Sequence, residues 1–139
     1  MAQVTEAEML APFFARYAEA FEAFDAPAIA GHFVTPCLFV REGVTEAALT
    51  PETVAGSAEA LLALHRAWDV QKVRVAEITL LQHGPTHTLA RVDWALGRRG
   101  SRMRWTYATT YTLVPSDDDW RIAVAVTHDA PTKGEAPMP

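Results

Sequence analysis

Apolar residues recur at Leu10, Phe14, Tyr17, Phe21 and Phe24, three or four positions apart. That spacing predicts one stripe of an amphipathic helix. Thr5-Glu6-Ala7-Glu8 in front of it fits a capping box. Asp25 can cap a short second helix over "APAIAGHF", with Pro27 in its first turn. Pro36 closes that region, and "CLFVRE" reads as a short strand. Thr50-Pro51-Glu52 is a further helix start, with a capping hydroxyl, a proline and an acid at the positive end of the dipole. This third helix runs to about Trp68, carrying Val54, Leu61, Leu64 and either Leu62 or His65.

From Val70 the period changes from helical to extended. "VQKVRVAEITLLQH", "HTLARVDWAL", "RMRWTYATTYTLV" and "WRIAVAVTH" are rich in β-branched and aromatic residues. They are separated by the turn signals "HGPT", "GRRGS" and "PSDDD". Helix, helix, strand, helix and a four-strand antiparallel meander predict an α+β domain of three helices on one curved sheet. The tail "APTKGEAPMP" has nothing to bury and is expected to be disordered over 131–139, leaving a single domain over 1–130.

The alternation along "ARVDWAL" divides the strand into two unlike faces. Ala90, Val92, Trp94 and Leu96 share one side, and Arg91, Asp93 and Ala95 the other. Closing the "GRRGS" hairpin adds Met103, Trp105, Tyr107 and Tyr111 to the side of Trp94. Arg104, Thr106, Ala108, Thr110 and Thr112 then join Arg91 and Asp93. A ligand cavity favours small residues with a few polar groups. A subunit interface favours Trp, Tyr and Met. The Arg91/Asp93 side is therefore expected to face the interior, and the aromatic side a partner subunit. The competing reading has the aromatics as core and the charges outside.

Composition narrows the function classes. The chain has 139 residues, half of them hydrophobic, which suits one globular domain. The net charge of −5 argues against nucleic acid or an anionic membrane as partner. Arg98, Arg99, Arg102 and Arg104 read as a solvated turn. The single cysteine, Cys37, excludes an internal disulfide and reads as a small buried hydrophobe. The first residues have no basic n-region, and no apolar run approaches the ~20 residues of a span, so a cytoplasmic protein is expected. His83 and His87 flank a Gly-Pro turn without a third ligand, so no metal is expected. No glycine-rich phosphate loop is present, and no cofactor is expected.

The order of elements and "FFARYAEAFEAFDAPAIAGHFVTPCLFV" together resemble the nuclear transport factor 2-like superfamily. The resemblance spans about residues 8–129. It rests on the aromatic first helix, on Asp25, Ile29 and Phe33 in a D-x-x-x-I-x-x-x-F run, and on Trp120 and Ile122 in a closing W-x-I. It implies a cone-shaped, cystatin-like α+β fold with an internal apolar cavity, and pairing through the outer face of the sheet. The superfamily includes SnoaL-like cyclases, ketosteroid isomerases and limonene epoxide hydrolases. By comparison with the isomerases, Tyr17 takes the place of an oxyanion donor, while Arg41 beside Glu42 and Thr110 stand where their two acids would be. By comparison with the epoxide hydrolases, Arg91-Val92-Asp93 looks like their Arg-x-Asp element, and their second Asp falls near Ala125. Their water-holding residues fall near Phe39 and Arg41. The scytalone dehydratase type would draw on His32, His65 or His128.

These comparisons imply Asp93, Arg91 and Tyr17 as the catalytic set. Arg41, Thr106, Thr110, Trp68 and His32 are the ligand-binding candidates, with Arg41 gating the mouth or pairing with an anion. The expected function is binding of a small apolar molecule, with cofactor-free hydrolysis, isomerisation, dehydration or cyclisation as the chemistry. The alternative is a non-catalytic, homodimeric ligand-binding or assembly module.

Overall fold

The computed structural model describes residues 6–100 and 102–128, leaving aside the side chains of Glu6 and Arg104. The capping role expected of Thr5 and the tail at 131–139 lie outside the described residues. Helix α1 spans Glu6–Glu22, α2 Ala26–Ala30 and α3 Pro51–Ala67. Strands follow as β1 Phe33–Arg41, β2 Val44–Ala48, β3 Lys72–His83, β4 Thr88–Gly97, β5 Met103–Ser116 and β6 Asp119–His128. The six strands form one sheet in the order β2-β1-β6-β5-β4-β3. Only β1 and β6 run parallel, and the sheet is curved but not closed. The fold is the α+β arrangement that the pattern predicts.

The helix starts follow from capping chemistry. The Asp25 carboxylate accepts from the Ala28 amide at 3.1 Å, with Pro27 in the first turn of α2. The Thr50 hydroxyl accepts from the Thr53 amide at 3.2 Å, with Pro51 opening α3. Two details of the first strand differ from expectation. Pro36 lies inside β1 rather than before it, after a cis Thr35–Pro36 bond. Proline has no amide hydrogen to give a ladder, and the β1–β6 register breaks between Phe33 and Leu38. The second detail is β2, which the sequence reading left out. Glu42 and Gly43 both have positive φ between the paired Arg41 and Val44, a two-residue hairpin loop. Glutamate seldom takes that conformation, and Val-Thr-Glu-Ala-Ala is almost wholly exposed, so neither turn nor strand announced itself.

The core lies between the helices and the concave side of the sheet. Leu10, Phe14, Tyr17 and Phe21 of the predicted stripe are buried in α1 together with Phe13, whereas Phe24 lies beyond the helix end at positive φ and is half-buried. The buried residues meet Val92, Trp94, Tyr107, Tyr111 and Leu113 from β4 and β5. Phe14 and Tyr17 pack on the Trp94 ring at 6.3 and 6.0 Å, and Phe14 on Tyr111 at 5.0 Å. α1 is fastened to the edge strand by Glu22, which accepts from the Val73 amide at 2.7 Å and pairs with Arg74. No helix among the described residues is long and apolar enough to cross a membrane.

Candidate functional site

The two faces of β4 and β5 are the reverse of the expected assignment. The hairpin parity is as predicted: Trp94 lies opposite Tyr107, and Asp93 opposite Ala108. It is the aromatic side, however, that meets the helices. Trp94, Tyr107 and Tyr111 are buried core, not a subunit surface. Arg91 and Asp93 lie on the outer side with about a third of each side chain exposed, joined by one hydrogen bond of 3.1 Å. The reason is energetic. Aromatic side chains remove the largest apolar area from water, whereas an ion pair turned inward loses hydration that its mutual attraction rarely repays. Thr106 and Thr110 go outward with the pair. Thr106 is exposed, and Thr110 bonds His128 Nε2 at 2.8 Å. None of these four lines the interior.

The cavity opens instead where side chains are small, under α3 and beside β6. Ser57 and Ala58 on α3 and Ala125 and Thr127 on β6 leave room. Phe21, Ile29, Phe33, Phe39, Val54 and Leu61 supply an apolar wall. Tyr17, Tyr111 and Arg41 supply the polar groups. The inner cavity is about 30 Å³, space for about two water molecules. It continues into an outer groove of about 250 Å³ between the β1–β2 hairpin and α3, lined in part by Val44, Glu46, Ala60 and Leu64. Phe39, Arg41, Ser57 and Leu61 belong to both, so they form the throat.

The Tyr17, Tyr107 and Tyr111 hydroxyls lie buried within electrostatic reach of one another. Trp94 Nε1 donates to the Tyr111 oxygen at 3.1 Å. Tyr17 and Thr109 lie close enough to act on that hydroxyl. Burial pushes the Tyr17 and Tyr107 hydroxyls far above their ordinary pKa, and Tyr111 also upward. All three therefore remain protonated donors at neutral pH. The half-buried Arg41 guanidinium acts on all three hydroxyls and partly opposes that rise. Among the described residues it has no carboxylate at ion-pair distance. Glu46 lies across the groove and accepts from Ser57 Oγ at 2.9 Å.

The other candidates fall elsewhere. His32 is wedged between Phe13 and Tyr17, its Nδ1 bonded to the Ala28 carbonyl at 2.8 Å. Burial lowers its pKa, and it lines a groove on the far side of α2 rather than the cavity. Trp68 caps α3 and packs edge-on against Trp105 at 5.9 Å, two turns beyond Leu61. His65 is wholly buried against Phe21 with both ring nitrogens unpaired, and burial lowers its pKa to about 4. His32, His65 and His128 thus stand in three separate places. Of the expected set, only Tyr17 and Arg41 line the cavity. Sequence reasoning missed Tyr111, Ser57, Ala58 and Thr127. Tyr111 was placed with its correct strand neighbours but on the wrong side of the sheet. Among the described residues no group of three or more His, Cys, Asp or Glu could hold a metal ion.

A curved sheet wrapped on three helices around a small interior cavity defines the NTF2-like class of α+β proteins. The chain belongs to the family described as NTF2-like protein (DUF6841), which it matches over residues 7–130. No curated protein matches it. Its fold is similar to that of a variant of Rv3472, a protein of unknown function from Mycobacterium tuberculosis. That pair has 15% identity and a TM-score of 0.70, covering 92% of this chain and 73% of the other. It is also similar to Aln2 from a Streptomyces species, with 18% identity, a TM-score of 0.68 and coverage of 91% and 94%. A protein of unknown function with a cystatin-like fold from Nostoc punctiforme shares 9% identity, a TM-score of 0.69 and coverage of 91% and 93%. At these identities the likeness concerns the fold.

Proposed function

We propose that this protein binds a small, mostly apolar molecule in the funnel between α3, β1 and β6, without performing acid–base chemistry of its own. The observation that carries the reading is the makeup of the inner cavity. Its wall is aliphatic and aromatic, and its only ionisable residues are Arg41, Tyr17 and Tyr111. Acid–base catalysis works best with a group titrating near the operating pH. The two tyrosines have moved away from that range, and a guanidinium offers only donors. Asp93 and Arg91, which would have supplied such chemistry, lie on the outer face of the sheet.

The reading is tested with p-cresol, a neutral aromatic carrying one oxygen. Titration followed by NMR should give saturable shifts at Tyr17, Tyr111, Val54 and Leu61. Ala58→Leu, which fills the cavity, should abolish them while the circular dichroism spectrum is kept. Shifts confined to the outer sheet face, or none that saturate, would overturn the reading. For that outer face we propose pairing with a second copy of the chain. Val40, Val124 and Val126 are only half covered there, beside Arg91 and Asp93. Sedimentation equilibrium showing a dimer that Val126→Lys dissociates is the expected result.

A further inference from the structure

A count of donors and acceptors around the throat restricts what can occupy it. The Tyr111 oxygen accepts from Trp94 Nε1. Its own hydrogen can be offered to the cavity it lines. Arg41 brings up to five N–H donors and a positive charge, with no ion-pair partner among the described residues. The inner lining holds hydroxyls, which donate and accept alike, but no carboxylate to face the guanidinium. Ser57 already donates to Glu46. A half-buried guanidinium without an ion-pair partner among the described residues, set in an otherwise apolar throat, favours an occupant carrying negative charge.

Resting on the binding reading above, we infer that the ligand is a small aromatic or aliphatic monocarboxylate that enters head first. Its carboxylate sits at Arg41 and Tyr111, and its apolar body fills the groove beside Phe39, Leu61 and Leu64. The dimensions agree with that orientation. The inner cavity of about 30 Å³ admits a carboxylate head but no ring, whereas the outer groove of about 250 Å³ holds the body. A guanidinium fork suits the two oxygens of a carboxylate better than a single carbonyl.

Phenylacetate and phenylacetamide, alike in shape and different in charge, are the probes. Calorimetry and NMR on the whole chain should show phenylacetate binding at least about tenfold more tightly, with shifts in the funnel, as expected for losing a charge-assisted hydrogen bond. Arg41→Met should weaken phenylacetate about tenfold and so remove that preference, and Tyr111→Phe should weaken phenylacetate about tenfold. Equal binding of the two probes in the funnel would overturn the carboxylate inference and leave the binding reading standing. So would a preference that survives in Arg41→Met. Absence of funnel binding by either probe, together with failure of p-cresol, would overturn both. The comparison of the two probes on the unaltered protein holds even if a variant does not fold.

Discussion

The two sides of β4 differ by one residue along the chain and by almost everything else. Trp94 is fully buried and touches Phe14 and Tyr17, whereas Asp93 and Arg91 are about a third exposed and touch each other. The difference shows that polarity of the pocket did not choose the inward face. The aromatic stripe of α1 needed an aromatic counterpart, and the sheet turned that side toward it. Polar chemistry then gathered where α3 and β6 carry small residues, with Arg41 reaching in from the end of β1.

Three measurements sharpen this contrast, in falling order of expected effect. Trp94→Ala should cost about 3–5 kcal/mol of stability in urea unfolding, since it empties core volume. It also removes a donor from the Tyr111 oxygen. A loss below about 1 kcal/mol would mean that the aromatic side is not the core.

The second measurement concerns His65, the buried residue with unpaired nitrogens. In the unfolded chain it titrates near 6.5, and in the fold near 4. Above pH 6.5 both states are neutral and the group contributes nothing to the pH dependence. Between 6.5 and 4 the unfolded chain takes up a proton that the folded chain refuses. Stability should therefore fall by about 3 kcal/mol across that window and level off below it. The drop attributable to this residue is read as the difference between wild type and His65→Phe in unfolding series at stepped pH. A difference that stays constant from about pH 7 to about pH 4 would show that His65 is hydrated in the native state.

Smallest is the outer pair. Arg91→Ala and Asp93→Asn should each shift stability by less than about 1 kcal/mol, and neither should alter phenylacetate affinity. If Asp93→Asn removed binding, the site would have to be sought on the outer face of the sheet.

Much of the architecture was legible in the chain. The i, i+3 and i+4 spacing of Leu10, Phe14, Tyr17 and Phe21 encodes α1 and its buried side because helical periodicity is local. Asp25 and Thr50 mark helix starts because capping acts within three residues. The pairing of Trp94 with Tyr107 follows from the turn and from strand alternation. The hairpin at Glu42-Gly43 and the strand after it were not legible. Their turn uses a residue type that seldom takes positive φ, and the strand has little apolar signal.

Of the site, Tyr17 and Arg41 were named through the resemblance to the superfamily. Their convergence with Tyr111, Ser57 and Thr127 was not legible. Alternation states which residues share a side of a sheet but not which side meets the helices. That choice depends on the total area buried when all elements dock, a sum over contacts far apart in sequence. By itself, then, the sequence determined the helices, the strand order of the meander and the membership of each face. The tertiary structure alone decided which face became the core, and so moved the polar end of the cavity from Asp93 to Arg41 and Tyr111.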